Sequence, residues 1–175
     1  TGGNGSTQTS VVEREDTPAQ AGSVEAVASS VLPSVVKINV GGPQGQGSGS
    51  GVVISEDGEI LTNYHVVEVA EQGGRVSVGF NDGSTTTAEV VGTDPMTDLA
   101  IIKADDASGL TPAKLGQSGN LDVGEEVVAI GSPFGLEATV TSGIVSALHR
   151  PVAVGNQGGG MDTTYPAIQT DAAIN

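Results

Sequence analysis

His65 and His149 are the only two histidines in the 175 residues, and cysteine is absent. Acid–base or nucleophilic chemistry near neutral pH therefore has no thiol to draw on and only these two imidazoles as bases. His65 follows the apolar run Ile60-Leu61-Thr62 and precedes Val66-Val67. It stands at the end of a buried strand, where scaffolds present catalytic side chains. His149 lies beside Arg150-Pro151 at the edge of a long polar segment, without acidic neighbours at ligand spacing, and reads as a surface residue. Asp98 closes the stretch Asp94-Pro95-Met96-Thr97 and enters the apolar run Leu99-Ala100-Ile101-Ile102. A carboxylate entering such a strand is partly desolvated and needs a donor, and an imidazole N–H is one. Each residue has a plain alternative, a structural hydrogen-bonded histidine and a turn-capping aspartate. On position alone both readings stand. Two distant histidines and scattered carboxylates make no zinc-type ligand set, and no EF-hand-like loop occurs, so no metal or other cofactor is expected.

The elements that must position these residues follow from periodicity. Thr1 to Ala21 holds only Val11 and Val12 as large apolar residues and reads as a flexible linker. Val24, Val27, Ala28 and Val31 recur at helical spacing behind Ser23 as N-cap, with Pro33 as the stop. From Val36, Ile38 and Val40 the period becomes two. The Gly-rich run Gly41 to Gly51 predicts a mobile loop. Val52-Val53-Ile54 and Ile60-Leu61-Thr62 then make a hairpin about Ser55-Glu56-Asp57-Gly58, and a second hairpin turns at Asn81-Asp82-Gly83-Ser84. Leu99 to Lys103, Val127 to Ile130, Thr139 to Ala147 and Ala167 to Thr170 are further strands. Short strands with Gly turns at this spacing predict a closed barrel or sandwich. His149 to Pro166, with Gly158-Gly159-Gly160 inside it, predicts a mobile surface loop. The later strands are too few to close a second barrel, which suggests a fragment.

Composition narrows the function classes. Six basic residues against 21 acidic ones give a net charge of −15, unsuited to tracking a phosphate backbone, so no nucleic-acid partner is expected. No window approaches the roughly 20 apolar residues of a membrane span. Four aromatic residues in all (Tyr64, Phe80, Phe134, Tyr165) leave the core to Val, Ile, Leu and Ala and disfavour a carbohydrate-binding surface.

Four stretches together carry a specific resemblance: Leu61-Thr62-Asn63-Tyr64-His65-Val66-Val67, Asp94 to Ile102, Gly131-Ser132-Pro133-Phe134-Gly135-Leu136, and Thr139 to Ala147. A fifth, Ile168-Gln169-Thr170-Asp171-Ala172-Ala173-Ile174-Asn175, completes them. In this order they resemble the HtrA/DegP family of trypsin-like serine proteases from about Ser23 onward. The resemblance implies an all-β fold of two orthogonal, chymotrypsin-like six-stranded β-barrels, the second incomplete here, with a short N-terminal helix. The implied divisions are a linker over 1–21, helix plus first barrel over 22–105, an inter-barrel connection over 106–120, and the start of the second barrel over 121–175.

It also implies roles. His65 matches the general base and Asp98 the acid that orients it, with the nucleophile serine still to come, the chymotrypsin order. The fifth stretch matches the segment leading into the family's Gly-Asn-Ser-Gly-Gly nucleophile motif, so no nucleophile is expected in this chain. Ser132, before Pro133, and Ser142, inside a strand, read as structural. Ile174 aligns with the wall of the primary specificity pocket, with packing in the second barrel's core as the alternative. The loops around Phe134-Gly135-Leu136 and His149 to Pro166 align with activation-regulating loops. The implied function is an extracytoplasmic, ATP-independent serine endopeptidase acting on unfolded or misfolded proteins. A homotrimer, a membrane anchor upstream and a PDZ domain downstream are further implications. The competing class is a non-catalytic protein-binding module, a pseudoprotease or holdase, on the same fold.

Overall fold

Alternating burial organises the first half of the chain. Along Val35–Gly42, Val36, Ile38 and Val40 are buried while Asn39 is exposed, as a half-buried strand requires. The structure, a computed structural model, describes residues 19–43, 45–71, 73–131, 138–154 and 163–174. Its elements are α1 (Val24–Val31), β1 (Val35–Gly42), β2 (Gly45–Val53), β3 (Glu59–Thr62), α2 (Tyr64–Glu71), β4 (Arg75–Gly79), β5 (Thr85–Asp94), β6 (Leu99–Ala104), β7 (Glu126–Gly131), β8 (Thr139–Val154) and β9 (Thr163–Thr170). Strands β1 to β6 close into a barrel in the order β1-β2-β3-β6-β5-β4, and β7-β8-β9 form a separate three-stranded sheet. The all-β expectation, with a short N-terminal helix, a closed first barrel and an incomplete second one, is met.

The barrel interior is aliphatic. Val36, Ile38, Val40, Val53, Ile60, Val76, Val78, Ala100 and Ile102 meet in one buried cluster, with Phe80 packed at its margin. Antiparallel register sets the contacts: Ile38 faces Val78, and Ile102 lies between Ile60 and Val90. Each such side chain contributes roughly 1.5–3 kcal/mol by leaving water, so small β-branched residues fill the barrel without large aromatic rings. The hairpin turns follow local chemistry. Gly58 takes φ 101° at the β2–β3 turn, where the Ser55 hydroxyl accepts the Glu59 N–H at 2.9 Å. Ser23 caps α1, its hydroxyl accepting the Ala26 N–H at 3.2 Å.

Two sequence expectations are corrected. The Gly-rich run 41–51 is no loop: residues 41–42 continue β1 and residues 45–51 belong to β2, paired in register from Val35 with Val52 to Gly42 with Gly45. Low strand propensity is overridden because the glycines complete a barrel ladder, and Gly42, Gly47, Gly49 and Gly51 lie against neighbours that crowd any added side chain. At Gly51, a Cβ would come within 2.6 Å of Ile60 Cγ2 and 2.8 Å of Ile38 Cδ1. Residues 149–154 and 163–166, expected in a loop, form the outer part of the β8–β9 hairpin, with Arg150 opposite Ala167 and Val154 opposite Thr163. Helix α2 is an element the sequence reading lacks: it carries His65 just after β3, with Val66 and Val67 as its buried face. The readings of Thr1 to Pro18, Ser132, Phe134-Gly135-Leu136 and Gly158-Gly159-Gly160 lie outside the described residues.

Candidate active site

Helix α2 starts where β3 ends, and β6 starts one strand away, so the pairing of β3 with β6 brings His65 and Asp98 to the same barrel rim. Asp94 shapes the turn between β5 and β6. Its carboxylate accepts the Met96 N–H at 3.0 Å and the Thr97 hydroxyl at 2.7 Å, and these bonds, the hydroxyl's foremost, hold it below the usual carboxylate range. The chain then enters Asp98 at φ 55°, a left-handed conformation that is uncommon for a non-glycine residue.

Four contacts explain why that conformation holds. The Asp98 carbonyl accepts the Tyr64 N–H at 3.1 Å and the Asn63 side-chain amide at 2.9 Å. Its carboxylate accepts the His65 N–H at 2.9 Å through Oδ1 and meets His65 Nδ1 at 2.8 Å through Oδ2. The acid thus caps the first turn of α2, where anionic groups are favoured, and fixes the imidazole. A carboxylate offers only acceptors, so Nδ1 carries the proton and Nε2 keeps its lone pair as the basic nitrogen. The Asp98 side chain is 22% exposed and that of His65 68% exposed, so the acid is shielded while the base is presented to solvent. At the far end of α2, Glu71 accepts the Tyr64 hydroxyl at 3.2 Å and the Thr93 hydroxyl at 3.1 Å, tying the helix to β5. Burial first, then the Glu71 charge, raises the Tyr64 phenol above its ordinary value.

This His–Asp arrangement on a closed six-stranded barrel accompanies a match of the trypsin-like peptidase domain to residues 49–175. The chain belongs to the trypsin-like peptidase family. Its relatives are HtrA/DegP serine proteases. It is 49% identical over 160 residues to serine protease PepD of Mycobacterium tuberculosis, covering 88% of this chain and 34% of that protein. It is 50% identical over 127 residues to a probable periplasmic serine endoprotease, DegP-like, of Halomonas elongata, covering 73% and 24%. Among solved structures, an HtrA-type protease, AlgW, with a tripeptide superimposes with a TM-score of 0.73 at 40% identity, covering 87% of this chain and 47% of that one. Deg5 gives 0.70 at 38% identity, covering 85% and 72%. The chain spans about a third or less of the length of these curated relatives.

The third candidate, Ile174, is 75% exposed. With Ser50 of β2, Ala129 to Gly131 of β7, and Thr139 and Thr141 of β8, it lines a cavity of about 350 Å³ where the barrel and the second sheet meet. Ser142 faces Val128 in the β7–β8 ladder, and His149 lies exposed at φ 56° where the β8–β9 register shifts. Among the described residues no group of three or more His, Asp or Glu is arranged to hold a metal ion, and no helix is long and apolar enough to cross a membrane.

Sequence reasoning missed the part played by Asn63. Asn63 does carry a signal: an Asn directly before Tyr64-His65-Val66-Val67, with Val69 and Ala70 continuing the helical spacing, marks a helix start. Its bonds to Asp98, 35 residues away, carry no such local mark.

Proposed function

We propose that His65 and Asp98 are the general base and orienting acid of a serine endopeptidase of the HtrA/DegP type. The observation that supports this reading best is the 2.8 Å contact of Asp98 Oδ2 with His65 Nδ1. A serine hydroxyl becomes a useful nucleophile only when a neutral imidazole takes its proton, and the carboxylate selects the tautomer and stabilises the imidazolium that forms. The nucleophile and the oxyanion-hole amides are assigned to a Gly-Asn-Ser-Gly-Gly segment after the Ile168–Asn175 motif. Ile174 is assigned to the primary specificity pocket, where its apolar surface favours small aliphatic side chains and offers no anion to Lys or Arg. By itself, the 175-residue chain is expected to be inactive, because the hydroxyl that His65 would deprotonate and the amides that would stabilise an oxyanion are assigned to that segment.

The proposed setting is extracytoplasmic, in keeping with relatives named periplasmic, with unfolded or misfolded proteins as substrates. A homotrimer and an upstream membrane tether complete the proposal, with residues 22–105 and 121–175 as parts of two successive barrels and 106–120 joining them.

The test compares this chain with a form extended through the nucleophile motif and the remaining second barrel, using unfolded casein as substrate. Cleavage is expected only in the extended form, and only while His65 is intact. Casein binding without cleavage by the extended form would favour the holdase reading. Turnover by the 175-residue chain that disappears in His65→Ala would require a different nucleophile.

A further inference from the structure

We infer that Gly49 is a positioning residue for His65, acting through Val66; the inference rests on the proposed role of the His65–Asp98 pair. Val66 follows His65 in the first turn of α2 and is 5% exposed. A Cβ built on Gly49 would stand 2.6 Å from Val66 Cγ2, 3.0 Å from Val66 Cγ1 and 3.4 Å from Val66 Cβ. One built on Gly47, two residues earlier on the same face of β2, would stand 3.1 Å from the Val66 carbonyl oxygen. Neither glycine has a backbone conformation that excludes other residues, so what these positions demand is space rather than φ. The first turn of α2 rests almost directly on the β2 backbone.

That close seat matters because the turn is held from both sides. Asp98 grips it through the Tyr64 and His65 N–H groups, and both bonds leave the β5–β6 turn, which the Asp94 contacts keep in place. A methyl at position 49 cannot be absorbed by rotating Val66, since both its γ carbons and its Cβ lie within contact range. The helix start must lift, and lifting it pulls the His65 N–H and Nδ1 away from a carboxylate that cannot follow. Displacements of about 1 Å from sites remote from the chemistry cost on the order of 10²-fold in rate.

The readout is the protonation site of the His65 ring, followed in the full chain by ¹⁵N NMR at neutral pH, with Gly41→Ala as control, since nothing lies within 4 Å of a Cβ there. The native chain and the control should show the proton on Nδ1. Gly49→Ala should shift the population toward the Nε2-protonated tautomer, and Gly49→Ala with Val66→Ala should restore it, because the nearest remaining contact is the 3.4 Å one to Cβ. If Gly49→Ala alone fails to fold, the double variant must fold and show the native tautomer. A folded Gly49→Ala chain with the native tautomer, or a double variant that stays unfolded or shifted, overturns the inference. A native chain without the Nδ1 proton overturns the His65–Asp98 pairing itself, and the positioning role with it. In the extended form, Gly49→Ala should lower kcat about 10²-fold, with the double variant returning most of it.

Discussion

Asp98 holds His65 at two points, accepting the backbone N–H with one carboxylate oxygen and the imidazole Nδ1 with the other, at 2.9 and 2.8 Å. One acid therefore starts the helix that carries the base and sets that base's tautomer. An asparagine at position 98 cannot do both. If its oxygen caps the helix, its NH₂ faces Nδ1 and forces the proton onto Nε2; if it turns over, the cap is lost. Asp98→Asn in the extended enzyme should lower turnover by on the order of 10⁴, the loss the same change brings in a trypsin triad. The unfolding free energy should fall by only about 1 kcal/mol. Turnover within tenfold of native would contradict the role assigned to Asp98.

Gly143 should tolerate no side chain. A Cβ there would overlap Asp171 Oδ1 and the Ala172 backbone nitrogen. Asp171 accepts the Ile144 N–H at 2.7 Å, and the Thr141 hydroxyl donates to the Ala173 carbonyl at 2.7 Å, so β8 pins the segment that carries Ile174. Gly143→Ala should destabilise the chain by about 1–3 kcal/mol and lower hydrogen-exchange protection at Ile144. Adding Asp171→Ala should not rescue it, because the Ala172 backbone remains in the way. Rescue would place the clash in the carboxylate alone.

Acid should weaken the barrel through its turns. Asp57 is lowered to about 2, chiefly by its bond with Lys103 and then by Ser55. Asp82 is lowered by the Ser84 hydroxyl and N–H, and Asp94 by Thr97 and Met96. Each folded value lies below the unfolded one near 3.8, so the unfolded chain binds protons first as pH falls. The stability these groups contribute is present above about pH 4 and is lost as pH falls through the folded values toward about 2. The urea midpoint should drop over that window, and Asp57→Asn should flatten the drop. All three groups are exposed, so the effect should be modest and smaller in high salt. A midpoint rising on acidification would reverse the assignment.

Two positions on neighbouring strands should differ sharply. Ile102 is fully buried between Ile60 and Val90, and Ile102→Ala should cost about 2–5 kcal/mol. Val91, 62% exposed where the β5–β6 register shifts, should change stability by no more than about 0.5 kcal/mol on substitution by Ala. Chemical denaturation of both variants checks the contrast; equal costs would mean that the barrel interior is not where this packing puts it.

Much of the site was legible in the residues themselves. Only His65 joined an apolar strand to a second apolar run, and only Asp98 entered a strand from a Pro-containing turn. The Asp-Gly and Asn-Asp-Gly turns marked both hairpins, since Gly58 and Gly83 occupy positive φ, a local property. Period-two burial in β1 and β4 was likewise a local consequence of the pleat.

What local pattern could not determine was which segments meet. The run 41–51 looked like a loop because glycine has no side chain to show a periodicity, and it became the end of β1 and most of β2 because those two strands pair with each other out to Gly42 and Gly45. Gly47, Gly49 and Gly51 are explained by Val66, Ile60 and Ile38, residues up to 19 positions away whose approach only the closed barrel dictates. Likewise, the sequence names His65 and Asp98 as candidates, but their contact spans 33 residues and depends on β3 pairing with β6. Residue type and spacing determine which groups can react. Strand pairing, a long-range choice made by burial of the whole aliphatic core, determines which of them touch.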